Sequence, residues 1–375
     1  MKFINANLVF PHELLENGVL AVENGMIVAN SATGETIDCK GKFIIPGLID
    51  IHVHGAGGAD AMDATSASLT TFATTLLHHG TVAFLPTTMS ASLDAVIAAV
   101  CNIRECRGKI CGAEILGAHM EGPIISVDFK GAQAESTITP NQPNAGADFI
   151  RAVTASCTDV VKIATIAPER IDASEVVEAC SANNIIASAG HTGVDYDGMK
   201  TAIRNGVRGM THSFNAMLGI VHRKPGPIVA ALSDTRINME VIGDGVHVHP
   251  AVLDLVLKIK KDKACLISDS IRAMGMPNGE YDLGGQMTIV RDGMALLPNG
   301  TIAGSAFPLI QGIRTMVGFG WTLVDAVLPA TLNPAKFLGV DDRLGSLEIG
   351  KEASFVILND DLSIDQVWLR GVKVR

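Results

Sequence analysis

Eight short apolar runs punctuate the chain, at 48–54, 82–86, 115–120, 160–167, 185–190, 209–212, 237–243 and 265–269. Helix-length amphipathic stretches such as 66–79, 173–184 and 251–260 separate them. Alternating β and α units specify a parallel sheet covered by helices, either open or closed. No Gly-x-Gly-x-x-Gly follows the first run, which weighs against a doubly wound open sheet, and eight is the number of strands that closes. The expected fold class is therefore α/β, a (β/α)8 TIM-like barrel. After the eighth run, 279–304 reads as a hairpin insertion, and helices near 307–318 and 322–337 complete the unit.

The ends of the chain have a different pattern. Residues 2–45 read as short strands, with 19–22 and 26–28 flanking the hairpin turn Glu23-Asn24-Gly25 and another strand at 43–45. Residues 345–358 and 365–374 also read as strands. The two ends are expected to pair as a small β-sandwich domain, 1–47 with 345–375, attached to a catalytic barrel at 48–344. Apolar residues make up 47% of the 375 and charged ones 18%, enough for a large core with no disordered tract.

Charge narrows the partners. A formal net charge of -10 argues against nucleic acid or an anionic membrane, and an anionic substrate would need a local basic patch. The first residues, interrupted by Pro11 and Glu13, lack the apolar core of a signal peptide, and no run of transmembrane length occurs. Together with seven cysteines, an odd number, this points to reduced thiols in the cytoplasm. Cys101, Cys106 and Cys111 lack zinc-finger spacing and read as buried or incidental, and Trp321 and Met274 as packing.

Chemistry gathers at the C-terminal ends of the runs, where barrel active sites are built. The first, Pro46-Gly47-Leu48-Ile49-Asp50-Ile51-His52-Val53-His54-Gly55, puts His52 and His54 on one face of a strand. The third offers His119 and Glu121, the fifth His191, the sixth His212, the seventh Asp244 and His247, and the eighth Asp269. Any one of these could be a satisfied core polar group; their joint placement favours a metal centre. Neutral imidazole with carboxylate suits zinc, iron or another first-row divalent ion. Glu121, His191 and His212 make a three-ligand site with an open position. His52 and His54 could build a second beside it, with Glu121 bridging. Lys162, mid-strand, is badly placed to bridge. Asp269 is free to take a proton from water and return it to a leaving group. His119 reads as core or support for the ligands.

His119-Met120-Glu121-Gly122-Pro123, Gly190-His191-Thr192, His212-Ser213-Phe214-Asn215-Ala216-Met217, Asp244-Gly245-Val246-His247 and Ser268-Asp269-Ser270 complete a series that resembles the N-acetylglucosamine-6-phosphate deacetylases of the amidohydrolase superfamily. The resemblance runs in order over nearly the whole chain. It implies a metal-bearing barrel with a β-sandwich from both termini, and hydrolysis of the N-acetyl group of a sugar phosphate. It places the ligands on Glu121, His191 and His212 and the acid/base on Asp269. Members without the His-x-His pair work with one ion, so His52 and His54 imply one or two divalent transition ions per chain. Substrate contacts fall on Ala132, Gln133, Asn215, Ala216, Arg223, Asp244, His247, Ile302, Ala303 and Gly304. The family also implies a homodimer in which Arg223 reaches the neighbouring site. His222-Arg223-Lys224 is a basic loop in an acidic protein, and a guanidinium grips phosphate with paired hydrogen bonds.

Overall fold

The computed structural model describes residues 1–29 and 34–375. All eight runs form parallel barrel strands: Leu48–Val53, Thr81–Thr88, Ala118–Glu121, Val161–Ile166, Ile186–Ala189, Gly209–Met210, Asn238–Ile242 and Ala264–Ile267. Each pairs with the next in chain order from first to eighth. Between the eighth and the first, the Asp269 amide donates to the His52 carbonyl at 3.0 Å and the Ser268 amide to Asp50 Oδ1 at 3.3 Å. Two functional segments thus meet at the seam of the barrel.

Helices cover the outside because one face of each is apolar. In Ser66–His78, Leu69, Phe72, Ala73 and Leu76 are buried, and Phe72 meets Phe84 of the second strand edge to face at 5.0 Å. Gly47 sits where a Cβ would lie 2.4 Å from both Val82 methyl groups, so the chain can enter the first strand there only without a side chain.

Four expected elements differ. The run at 115–120 splits into Glu114–Ile115, which pairs with Ala83 and Phe84, and the barrel strand Ala118–Glu121. The sixth strand ends at Met210 because the following segment turns into left-handed backbone at His212, φ 27°. The helix expected over 322–337 breaks into Leu323–Val327, a 3-10 turn at Leu328–Ala330, and Leu332–Leu338. Pro334 explains the break: it has no amide to donate and its ring would strike the carbonyl four residues earlier. Residues 345–354 are turns rather than strand, with Gly345 and Gly350 at φ 86° and 89°.

The termini pair directly. Lys2–Val9 lies between Leu14–Glu23 and Phe43–Pro46, and Phe43–Pro46 pairs antiparallel with Phe355–Leu358 from the other end of the chain. Asn24 and Gly25, both at positive φ, make the expected two-residue hairpin turn. Eight strands join in one sheet among the described residues, and the edge at Met26–Val28 bonds to residues 350–353, so the sheet curls back on itself. Phe3, Ile44, Phe355 and Trp368 fill its core, with Phe3 edge-on to Phe355 at 5.0 Å and to Trp368 at 4.8 Å.

The insertion is a four-stranded antiparallel sheet, Gly279–Leu283, Gln286–Arg291, Met294–Leu296 and Ile302–Ser305. Leu283, Val290, Ala295 and Ala303 pack on Met89 and Ile271, so it is fastened over the barrel mouth by an apolar core of its own.

Candidate metal centre and substrate cavity

Four imidazoles and two carboxylates converge above the barrel. Glu121 Oε1 lies 3.1 Å from His191 Nε2, 2.8 Å from His212 Nε2 and 3.5 Å from His52 Nε2; its Oε2 lies 3.4 Å from His54 Nε2. Asp269 Oδ1 stands 3.4 Å from His52 Nε2 and 3.3 Å from His54 Nε2. Three groups of possible ligands lie close together among the described residues: Glu121 with His191 and His212, Glu121 with His52 and His54, and, beneath these two, His52 with His119 and Glu240.

Proton placement decides what these groups can bind. His54 Nδ1 faces the Thr87 carbonyl at 3.2 Å, His191 Nδ1 the Phe129 carbonyl at 2.8 Å, and His52 Nδ1 the Glu240 carboxylate at 3.1 Å. Carbonyl and carboxylate oxygens accept, so each Nδ1 carries the proton and each Nε2 presents a bare lone pair inward. His191 Nε2 then lies 3.1 Å from His212 Nε2, and His52 Nε2 3.3 Å from His54 Nε2. At His52 and His54 these lone pairs face each other and the carboxylates and repel unless a cation lies among them, whereas His212 Nδ1 is buried without a partner among the described residues, so its Nε2 is set by what it meets inside. Donors bound to one tetrahedral ion at roughly 2.1 Å stand about 3.4 Å apart, and the separations here, 2.8–3.5 Å, suit that arrangement. The residues fit a divalent metal.

The field agrees. Burial disfavours charge on His54 and His212, yet Glu121 and Asp269 outweigh it, lifting His54 well above the usual histidine range and His212 to about 9. Burial alone would raise Glu121, but His191 and His212 hold it well below the usual carboxylate range. His191, His212 and Asp269 all occupy left-handed backbone, at φ 48°, 27° and 47°. For non-glycine residues this costs roughly 1–2 kcal/mol each, and it aims three strand ends at one point.

His119 belongs to neither of the two sets built on Glu121 and does not line the cavity. Its Nδ1 donates to the Ile51 carbonyl at 2.9 Å, and its Nε2 accepts from Thr165 Oγ1 at 2.8 Å. Lys162 packs at the start of the third strand, against Gly117.

Beside the centre lies a cavity of about 370 Å³. Of the residues expected there, His54, Glu121, Ala132, Gln133, His191, His212, Asn215, Ala216, His247, Asp269, Ile302 and Gly304 line it. His52 lies beneath the centre, fully buried, and Ala303 is buried in the core of the insertion. Gln133 donates from Nε2 to Glu121 Oε2 at 2.6 Å and accepts from the Ser90 amide, so it steadies a ligand as well as lining the wall. Asp244 accepts from His247 Nδ1 at 2.7 Å and from two backbone amides, and thereby orients His247. Arg223 stands apart, exposed on the loop beyond the sixth strand. Among the described residues no lysine or arginine lines the cavity.

Sequence reasoning missed Met89, Gly131, Ile271, Leu283 and Thr301 on the wall, and Glu240 beneath the centre. Glu240 had one signal, a lone acid in the apolar run Ile237-Asn238-Met239-Glu240-Val241-Ile242.

The amidohydrolase family model matches residues 43–374. N-acetylglucosamine-6-phosphate deacetylase of Bacillus subtilis (strain 168) is 36% identical over 97% of this chain and 94% of its own length. N-acetylgalactosamine-6-phosphate deacetylase of Escherichia coli O157:H7 is 33% identical over 95% and 94%. A solved mutant of N-acetyl-D-glucosamine-6-phosphate deacetylase from Mycobacterium smegmatis, in complex with N-acetyl-D-glucosamine-6-phosphate, superposes with a TM-score of 0.90 at 30% identity, covering 100% of this chain and 99% of that one. With a match that spans the barrel and both ligand sets, this chain belongs to the amidohydrolase family.

Proposed function

We propose that the protein hydrolyses the N-acetyl group of N-acetyl-D-glucosamine 6-phosphate, giving D-glucosamine 6-phosphate and acetate. The observation that carries the reading is the set of inward Nε2 lone pairs around Glu121, opening on a cavity that Asp269 also lines. Glu121, His191 and His212 hold one divalent ion, and His52 and His54 with Glu121 hold a second. Zinc or iron suits this donor set. Glu121 and Asp269 are both buried and meet only histidines as ion-pair partners among the described residues, so a second divalent ion also serves charge balance. When bound, such an ion polarises the amide carbonyl and acidifies water. Asp269 takes the proton of the attacking water and delivers it to the departing amine, while Met89, Ile271 and Leu283 give the wall an apolar side.

The terminal sheet, 1–47 and 345–375, is a support domain for the catalytic barrel at 48–344. Among the described residues no helix is long and apolar enough to cross a membrane; the cytoplasm is our proposed location, on the strength of the seven cysteines.

A sugar phosphate needs a cation that the cavity's own wall lacks. Arg223 supplies it from the partner of a homodimer. Leu218, Ile220 and Val221 expose apolar side chains on the loop that carries it, at 38%, 49% and 52%, which suits burial against a second copy. Phosphate is unchanged during amide cleavage, so the contact is felt in substrate binding. A hydrogen bond to a charged group contributes roughly 1.5–3 kcal/mol, and Arg223→Ala should raise KM about tenfold or more. Mixed dimers of Arg223→Ala and Asp269→Asn chains should regain activity at low substrate, since one site in each hybrid has both groups. Activity no higher than the parents' average would assign Arg223 to its own subunit.

The galactosamine-6-phosphate relative motivates a second reading, the same chemistry on the epimer. Acetate release measured on both phosphorylated N-acetylhexosamines decides it. A higher kcat/KM for the gluco sugar supports the proposal, and a higher value for the galacto sugar replaces its substrate.

A further inference from the structure

Glu240 lies beneath the centre, 1% exposed, on the seventh strand. Its Oε2 accepts from His52 Nδ1 at 3.1 Å and from the backbone amide of His212 at 3.4 Å. Its own carbonyl accepts from the Ser213 amide at 2.8 Å. One carboxylate oxygen therefore touches a residue from each ligand set, the ring of one and the backbone of the other. Its Oε1 is buried and has no hydrogen-bond partner among the described residues, and His119 Nδ1, 3.9 Å away, already donates to Ile51. A buried acid in an apolar strand is costly unless it has work to do.

We infer that Glu240 is a positioning residue for the second ion: it keeps the His52 proton on Nδ1 and so reserves Nε2 for the metal. The inference rests on the two-ion reading above. His52 is singled out among the ligands because its partner is a carboxylate, whereas His54 and His191 face backbone carbonyls that no substitution can remove. A side-chain amide in place of Glu240 carries no charge and can meet Nδ1 only with one neutral oxygen, shared with the His212 amide, so it holds the proton on Nδ1 more weakly and leaves Nε2 less reserved for the metal. The contact to the His212 amide is longer and goes to backbone already held by the barrel, so the first ion depends on Glu240 less.

The test is a cobalt(II) titration of metal-stripped protein, followed by visible absorption and elemental analysis, on wild type, E240Q and E240D. Wild type should take two tight equivalents. E240Q should keep the first and bind the second about 10–100-fold more weakly, the usual cost of losing a carboxylate behind a metal-bound histidine. E240D keeps an acceptor-only group and should recover part of the loss. The melting temperature of the metal-free chain should match wild type, which separates positioning from a folding defect; if E240Q does not fold, E240D alone must still weaken only the second equivalent. Two equivalents bound equally well by wild type and variants, or both weakened alike, would overturn the assignment to Glu240. A wild type that takes one equivalent would overturn the two-ion reading and the assignment with it.

Discussion

Asp269→Asn is expected to lower kcat by about 10²–10⁴-fold with metal content and substrate binding retained, the usual contribution of a positioned acid/base. Asparagine keeps the shape and an acceptor oxygen, so the backbone at φ 47° and the bond from the Asp269 amide to His52 should survive. It cannot take the proton. Within the wild-type enzyme Asp269 carries the negative charge an acceptor needs. Burial would raise its pKa, but the His52, His54 and His212 rings overcome this and lower it to about 2, so it stands ionised at neutral pH. An Asn variant within a few-fold of the wild-type kcat would exclude the role.

His191→Ala should remove the first ion and with it nearly all activity. An open three-ligand site has no donor to spare, and Glu121 cannot hold an ion with His212 alone. His52→Ala should instead release only the second ion, leaving the first at full occupancy. Elemental analysis of the two variants distinguishes them, and full metal content with activity in His191→Ala would sink the ligand assignment.

Much of this architecture was legible because barrel strands are buried on both faces and so read as plain apolar runs. The strand ends were legible too: His52, Glu121, His191, His212 and Asp269 each stand at or just past the end of such a run, and the structure brings all five together. The insertion was visible, but its position over the barrel mouth was not, since its docking depends on Met89 and Ile271 from distant segments. Glu240 escaped for the same reason. Its partner His52 is 188 residues away, and a lone acid has no spacing to give it meaning. Two misses were avoidable: Pro334 interrupts the last helical stretch, and Gly345 and Gly350 mark the turns at 345–354. The helical and strand patterns on either side were stronger than these single-residue signals. Arg223 could be seen as basic and exposed, but one chain does not show what it meets.

The most direct measurement strips the purified enzyme of metal and follows acetate release from N-acetyl-D-glucosamine 6-phosphate as zinc or iron(II) is titrated back. Activity should be absent in the stripped protein and rise with bound metal, reaching its plateau once the Glu121 sites are filled. A stripped protein that releases acetate at the full rate would contradict metal-dependent deacetylation.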